Sequence, residues 1–275
     1  MSRRAPLSNA GNAAATILRS DRNGVALLVL NRPEARNSLS DEMLATFAAE
    51  LASIRPDKAV RAVVIAANGP AFCAGHDLKE MTAHRNDPDR GRAHFRKTFA
   101  ASAALMQALV TLPQPVVAAV QGIATAAGCQ LAAASDLVVA SEAARFCTPG
   151  VDIGLFCAVP GVPLTRKVAP GHALEMLLTG EAIPAARAYE IGLVNRVVAP
   201  GRERETALEL AQVVASKSSY VQRLGKESFY RQLDLDLADA YAHTIEVMTE
   251  NMMARDAEEG IGAFVEKRAP KWEDR

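Results

Sequence analysis

The sequence predicts an α/β protein on three observations. Short, fully apolar runs of strand length recur along the chain, turn residues and helix-period stretches separate them, and the last quarter is almost entirely helix-patterned. Thr16–Arg19 and Val25–Leu30, split by Asp21-Arg22-Asn23-Gly24, read as a hairpin, because Asn-Gly readily adopts the positive φ that a two-residue hairpin turn needs. Ser40 or Asp41 is placed to cap a helix whose apolar residues Met43, Leu44, Phe47, Leu51 and Ile54 share one face. Val63–Ala66 is a buried strand ended by Asn68-Gly69-Pro70. A polar loop at 85–90 leads into a helix from about Arg92 to Leu109, stopped by Pro113 and Pro115. Val116–Val120 is the next strand, and the same rhythm returns around Leu137–Ala140, Arg145–Cys147 and Val194–Val198. Beyond Pro200 an apolar stripe (Leu235, Leu237, Ala238, Tyr241, Ile245, Met248) marks long helices. The expected organisation is a leader over 1–13, an α/β core over 14–200 and a helical region over 201–275.

Composition narrows the function classes. Hydrophobic residues make up 49% and charged residues 23%, and 31 basic residues balance 31 acidic ones. That balance argues against a nucleic-acid binder, which shows a basic excess or stripe. No apolar run is long enough to span a membrane. Cys73, Cys129, Cys147 and Cys157 have no C-x-x-C spacing, so neither a zinc site nor a disulfide framework is expected, and a reducing compartment is. Met1–Ser20 carries three arginines and no acid, faintly like an organellar presequence. Without a strong amphipathic face it reads instead as a disordered bacterial leader.

Two small-residue segments sit at strand-to-helix transitions: Ala71–Glu80, and Gln121–Gln130. Such places leave backbone N–H groups free and let a ligand approach the main chain. Two of them face to face can aim a pair of N–H groups at one oxygen, the requirement for stabilising an enolate or a tetrahedral oxyanion. Each loop alone is as consistent with tight packing; the pair together favours chemistry.

Leu30–Leu39 (LNRPEARNSL) resembles the opening motif of the crotonase (enoyl-CoA hydratase/isomerase) superfamily. Phe72–Leu78 resembles its first oxyanion loop. Gln121–Gln130 with Ser135-Asp136 resembles the second, and Gly180-Glu181 with Ala185–Val198 resembles its late segment. The resemblance implies a spiral of ββα units with a C-terminal helical trimerisation region. It implies backbone N–H groups of His76 and Ala127 around an acyl-CoA thioester carbonyl. Ala35, Ala74, Gly75, Leu78 and Gly128 would lie along coenzyme A, with Arg32, Arg36 and Lys267 toward its phosphates. Asp77 belongs to the same loop, where it is expected to fix the turn. Coenzyme A would enter as part of the substrate, with no permanently bound cofactor and no metal. The resemblance also implies a homotrimer or a pair of trimers, in a bacterial cytoplasm or a mitochondrion.

One departure stands out. A hydratase of this family is similar in carrying two glutamates that handle water and proton; the motifs put Gln130 and Gly150 in their places. Glutamine exchanges no proton near neutral pH and glycine has no side chain. Loss of an acid–base group typically removes about 10²–10⁴-fold in rate, so hydration is expected to be weak. Asp152, Cys129, Cys157 and the His76 ring are possible substitutes. Asp152 falls on an expected strand, and the cysteines read as buried structural residues. One branch of the superfamily, mitochondrial in animals, shows the same missing glutamates. The sequence therefore supports an enzyme that needs little side-chain acid–base help, such as an isomerase, decarboxylase or thioester-cleaving enzyme. The alternative is a non-catalytic acyl-CoA-binding or regulatory relative; RNA binding is weak given the neutral charge.

Overall fold

The structure is a computed structural model that describes residues 15–275; the leader expected over 1–13 lies outside the described residues. The hairpin forms as expected from β1 (Ile17–Arg22) and β2 (Val25–Leu30). Arg22 pairs with Val25, which leaves Asn23 (φ 51°) and Gly24 (φ 78°) as the two turn residues. Helix α1 (Asp41–Ile54) is capped by the Ser40 hydroxyl, which accepts from Met43 N at 3.2 Å, and its five expected apolar residues are all buried. Then follow β3 (Ala62–Ala67), β4 (Ala71–Cys73), α2 (Leu78–Ala83) and α3 (Arg92–Val110). The middle of the chain is β5 (Val116–Val120), β6 (Ile123–Thr125), α4 (Ala127–Ala134), β7 (Leu137–Ser141) and β8 (Arg145–Cys147). After it come α5 (Ala158–Lys167), α6 (Pro170–Thr179), β9 (Ile183–Pro184), α7 (Ala185–Glu190) and β10 (Arg196–Val198). The chain closes with α8 (Glu203–Ala215), α9 (Ser219–Gln232), α10 (Leu237–Met253) and α11 (Arg255–Val265).

The strands form a six-stranded sheet, β1-β2-β3-β5-β7-β10, and a four-stranded one, β4-β6-β8-β9. Each turn of the chain lays one strand in the first sheet and the next in the second: β3 then β4, β5 then β6, β7 then β8. This is the expected spiral. Within the larger sheet all pairs after the β1–β2 hairpin are parallel, and such strands are buried on both faces. Leu28, Ile65, Ala118 and Val138 face the main core. Val25, Val64, Val117 and Val139 face the opposite way, onto an alanine stripe (Ala207, Ala211, Ala215) along α8. Thus α8 lies on the sheet, across the boundary expected near residue 200.

Some elements were hidden from sequence reading. Helix α5 contains Pro160 and Pro163. The first falls in the first turn, where no amide bond is lost; the second removes one internal bond, which the burial of Gly161 and Leu164 offsets. The last strand is shorter than expected, but Asn195 extends its pairing by both accepting from and donating to Val138, at 2.8 and 2.9 Å.

One polar hub ties α9 to the sheet. Asp136 accepts from Val116 N at 2.6 Å, Lys226 Nζ at 2.6 Å and the Tyr230 hydroxyl at 2.8 Å. Lys226 also donates to the Leu109 and Gln114 carbonyls, and burial pushes its ammonium below the ordinary lysine range, with Asp136 opposing. At the tail, buried Asp256 accepts from the N–H groups of Glu273 and Asp274, and Asp274 pairs with Arg61 at 2.6 Å. No residue of α10 is buried, and Leu237, Tyr241, Ile245, Met248 and Met252 are exposed along one stripe.

The two sheets meet where α4 begins. A Cβ on Gly128 would stand 2.1 Å from the Cys73 carbonyl oxygen, and one on Gly122 2.1 Å from that of Pro70. Gly128→Ala therefore lowers stability although helix propensity alone favours alanine by about 1 kcal/mol. The expected net loss is about 2–3 kcal/mol, a drop of roughly 5–10 °C in the melting temperature. Asp136→Asn leaves Lys226 buried and uncompensated and is expected to cost about 3–5 kcal/mol in urea unfolding. Adding Lys226→Met should recover much of that loss.

Candidate functional site

The first loop is held from behind by Asn37, at φ 53° and fully buried. Its amide donates to the carbonyls of Asn68 (2.9 Å) and Ala71 (2.8 Å) and accepts from Arg32 N (2.9 Å). This locks the 32–37 turn against the end of β3 and the start of β4. Ala74 N then donates to the Arg36 carbonyl, Leu39 N to that of Gly75 (2.7 Å), and Asp77 N to that of Leu39. The chain from Ala74 to Asp77 is thus laid along residues 36–39.

Asp77 caps α2, accepting from Lys79 N and Glu80 N, from the Ser38 hydroxyl at 3.2 Å and from Arg32 at 3.4 Å. Burial works against its charge, but the Glu80 N–H, Ser38 and Arg32 outweigh it and hold the carboxyl below the usual range. It fixes the turn, as expected, and it engages Arg32, whose guanidinium also donates to the Ser38 carbonyl. Arg36, by contrast, is exposed at φ 50°, and its side chain makes no hydrogen bond or ion pair among the described residues. Ala35 and Ala74 are half-buried beside it, and Leu78 is exposed on the rim of a shallow cleft with Lys79, Thr82 and Asn86.

The second loop faces the first. Gly75 has φ 85°, and a Cβ there would lie 3.1 Å from Ala126 Cβ and the Thr125 carbonyl oxygen and 3.3 Å from Ala127 N. Ala126 carries φ 51° and ψ −116°, a conformation that favours glycine, and donates its N–H to the Cys147 carbonyl at 2.9 Å. Helix α4 starts immediately after it. Among the described residues, neither His76 N–H nor Ala127 N–H has a protein acceptor. Gly128, expected along the ligand, is wholly enclosed against Cys73 and acts by letting the loops close.

The side chains around this point carry almost no charge. Gln130 is 2% exposed, and its Oε1 has no hydrogen-bond partner. His76 packs edge-on against Phe99 of α3 at 5.5 Å, with a buried, unpartnered Nδ1. Burial pushes its imidazole below the ordinary range, although the Leu39 carbonyl and Asp41 pull the other way. Gly150 is buried in a 3₁₀ turn, Pro149–Ile153, rather than on the strand expected there. Asp152 sits exposed on that turn. A Cβ at position 150 would lie 2.8 Å from both Cys157 Sγ and the Leu155 carbonyl oxygen. The space for a side chain there is filled, so a glutamate at 150 would have to displace its neighbours.

All four cysteines are free and buried. Lys267 lies beyond α11, exposed, and its N–H donates to the Phe264 carbonyl; no described contact joins it to Arg32 or Arg36. Among the described residues no group of three or more His, Cys, Asp or Glu could hold a metal ion. Sequence reading missed Asn37 as the anchor of the first loop; it named Cys157 as a possible substitute but favoured a buried structural role. An asparagine flanked by an arginine and a serine after a proline is a turn signal, but two of its three partners, Asn68 and Ala71, are distant in sequence. Nothing local marks Cys157 as the neighbour of position 150.

Comparison with known proteins agrees with this architecture. The sequence model of the enoyl-CoA hydratase/isomerase family matches residues 20–275. The chain is 43% identical to enoyl-CoA hydratase domain-containing protein 3, mitochondrial, of Xenopus laevis, over 94% of this chain and 85% of that one. For the human protein of that name the identity is 42%, over 91% and 81%. Among solved structures, an enoyl-CoA hydratase from Mycobacterium smegmatis superposes with a TM-score of 0.89 at 47% identity, covering 94% of this chain and 99% of that one. Human enoyl Coenzyme A hydratase domain-containing protein 3 superposes with a TM-score of 0.88 at 40% identity, over 94% and 100%. With the spiral fold and both loops in place, this chain belongs to the enoyl-CoA hydratase/isomerase family, the crotonases.

Proposed function

We propose that the protein binds an acyl-CoA and stabilises a thioester enolate between the N–H groups of His76 and Ala127. The observation that carries this reading is the facing of the two loops at Gly75, with both N–H groups free of protein acceptors among the described residues. Donors fixed in advance on a rigid backbone need no reorganisation as charge develops, and removal of one such donor typically costs about 10²–10³ in rate. Arg36, exposed and joined through its carbonyl to Ala74 N of the first loop, supports phosphate contact better than Arg32, which is engaged with Asp77. Lys267 reaches the phosphates in this reading only if the assembly brings it there.

With Gln130 and Gly150 where carboxylates would stand, hydration is not the reaction favoured. Chemistry that runs through an enolate with a single proton transfer, such as isomerisation or decarboxylation, fits better. The crowding at Gly150 also favours a second reading, an acyl-CoA-binding relative without turnover. The two part company on one comparison. Acetoacetyl-CoA, which ionises to an enolate, is expected to bind at least about tenfold more tightly than butyryl-CoA if the loops stabilise enolate charge. Isothermal titration of both ligands measures this, and equal affinities would favour the binding protein.

The exposed apolar stripe on α10, continued by Ile261, Phe264 and Val265 of α11, supports self-association as a homotrimer or a pair of trimers. Light scattering is expected to give three or six times the 29.2 kDa of one chain, and Ile245→Asp is expected to lower that mass. The four free thiols support a reducing compartment such as the bacterial cytoplasm.

A further inference from the structure

Position 150 has no side chain, but the space beside it is not empty of chemistry. Cys157 Sγ stands 2.8 Å from where a Cβ on Gly150 would begin. Cys157 immediately precedes α5, which packs along α4. Around it lie Cys129, in the first turn of α4, and Cys147, whose carbonyl accepts the Ala126 N–H at the entrance to that helix. Both are near enough to Cys157 for the thiols to influence one another's ionisation. Cys157 therefore lies among residues that flank the helix start at which, among the described residues, the Ala127 N–H has no acceptor.

Of the four cysteines, Cys157 is the most accessible, at 8% exposure against 0%, 1% and 4% for Cys73, Cys129 and Cys147. Three other groups are candidates to move the proton. Gln130 has no proton to exchange near neutral pH. Asp152 is exposed on its turn, with its carboxylate near enough to Cys147 to bear on that thiol. A carboxylate base, unlike a thiol, gives an exchange rate already level below about pH 7. The His76 ring is packed toward α3, against Phe99.

We propose that the Cys157 thiol is the proton donor to the α-carbon of the bound enolate, acting from the place in which the side chain absent at position 150 would stand. This rests on the enolate-stabilising reading above. In the step, the S–H bond breaks and a C–H bond forms at the α-carbon while the oxyanion returns to a thioester carbonyl. The thiolate left behind regains its proton from water through its small exposed face. Burial pushes the Cys157 thiol above its ordinary range, with the Gly150 N–H pulling it down, so it is protonated at neutral pH. That is the form a donor needs, and an enolate carbon is a stronger base than a thiolate.

A donor in one direction is the base in the other, so the protein should exchange the α-hydrogens of butyryl-CoA with deuterium oxide. The experiment follows deuterium uptake by mass spectrometry for wild type, Cys157→Ala and Cys157→Ser between pH 6 and 10, with butyryl-CoA affinity measured on each. Exchange by the wild type is expected to be still rising at pH 9, as the thiolate appears. Cys157→Ala is expected to lose about a hundredfold or more in exchange with affinity within threefold of wild type, and Cys157→Ser to follow it. Wild-type exchange in Cys157→Ala, or a rate already level by pH 7 as a histidine base gives, would overturn the assignment. Absence of exchange in a wild type that still prefers acetoacetyl-CoA would overturn the proton role alone. Loss of acyl-CoA binding in the wild type would overturn both readings together.

Discussion

The site depends on how closely the start of α4 approaches the end of β4. Gly128 rests on the Cys73 carbonyl, Gly122 on that of Pro70, and Gly75 against Thr125–Ala127, so each loop is shaped by the absence of side chains in the other. Close packing leaves no intermediate position for a loop that gains an atom here. The arrangement also holds Ala126 at φ 51°, a cost of about 1–3 kcal/mol that persists only where the surroundings over-determine it. Those surroundings are a hydrogen bond to Cys147 and a helix whose eight residues are all buried. The strain opens α4 with its first amides facing the opposite loop.

Around that opening the protein presents backbone dipoles and side chains with almost no charge. The nearest side chains are an amide (Gln130), an imidazole made hard to protonate by burial (His76) and thiols. Ionised groups lie one layer out and serve structure. Asp77 is consumed by a helix cap and Arg32, and Asp136 by Lys226, Tyr230 and the Val116 amide. A buried pair such as Asp136–Lys226 contributes little net stability, yet removing one partner is costly, so it fixes where α9 lies more than it strengthens the fold.

The energetics of the two halves of the chain differ accordingly. Residues 15–215 bury the larger sheet on both faces, with α8 supplying an alanine stripe that allows helix and strands to approach. Past that point the helices are tied back by polar contacts: Lys226 to Asp136, Trp272 Nε1 to the Ser216 carbonyl, and Asp274 to Arg61. Their apolar residues face outward instead. That uncovered stripe is the feature on which the proposed self-association rests.

What the sequence determined by itself is what local pattern encodes. Asn23-Gly24 set the hairpin, the spacing of Met43 to Ile54 set α1, and the valine-rich runs set the strands, because each follows from neighbours a few residues apart. The two small-residue loops were legible for the same reason, while Gln130 and Gly150 drew notice only through the family resemblance. Tertiary structure alone decided which distant groups meet. It enclosed Gly128 against Cys73, bound Arg32 to Asp77 while leaving Arg36 exposed, made a 3₁₀ turn where a strand was expected at Asp152, and brought Cys157 into the space beside Gly150. Those contacts arise from how α4 and α5 pack, and side-chain packing between elements leaves no periodic mark in either one.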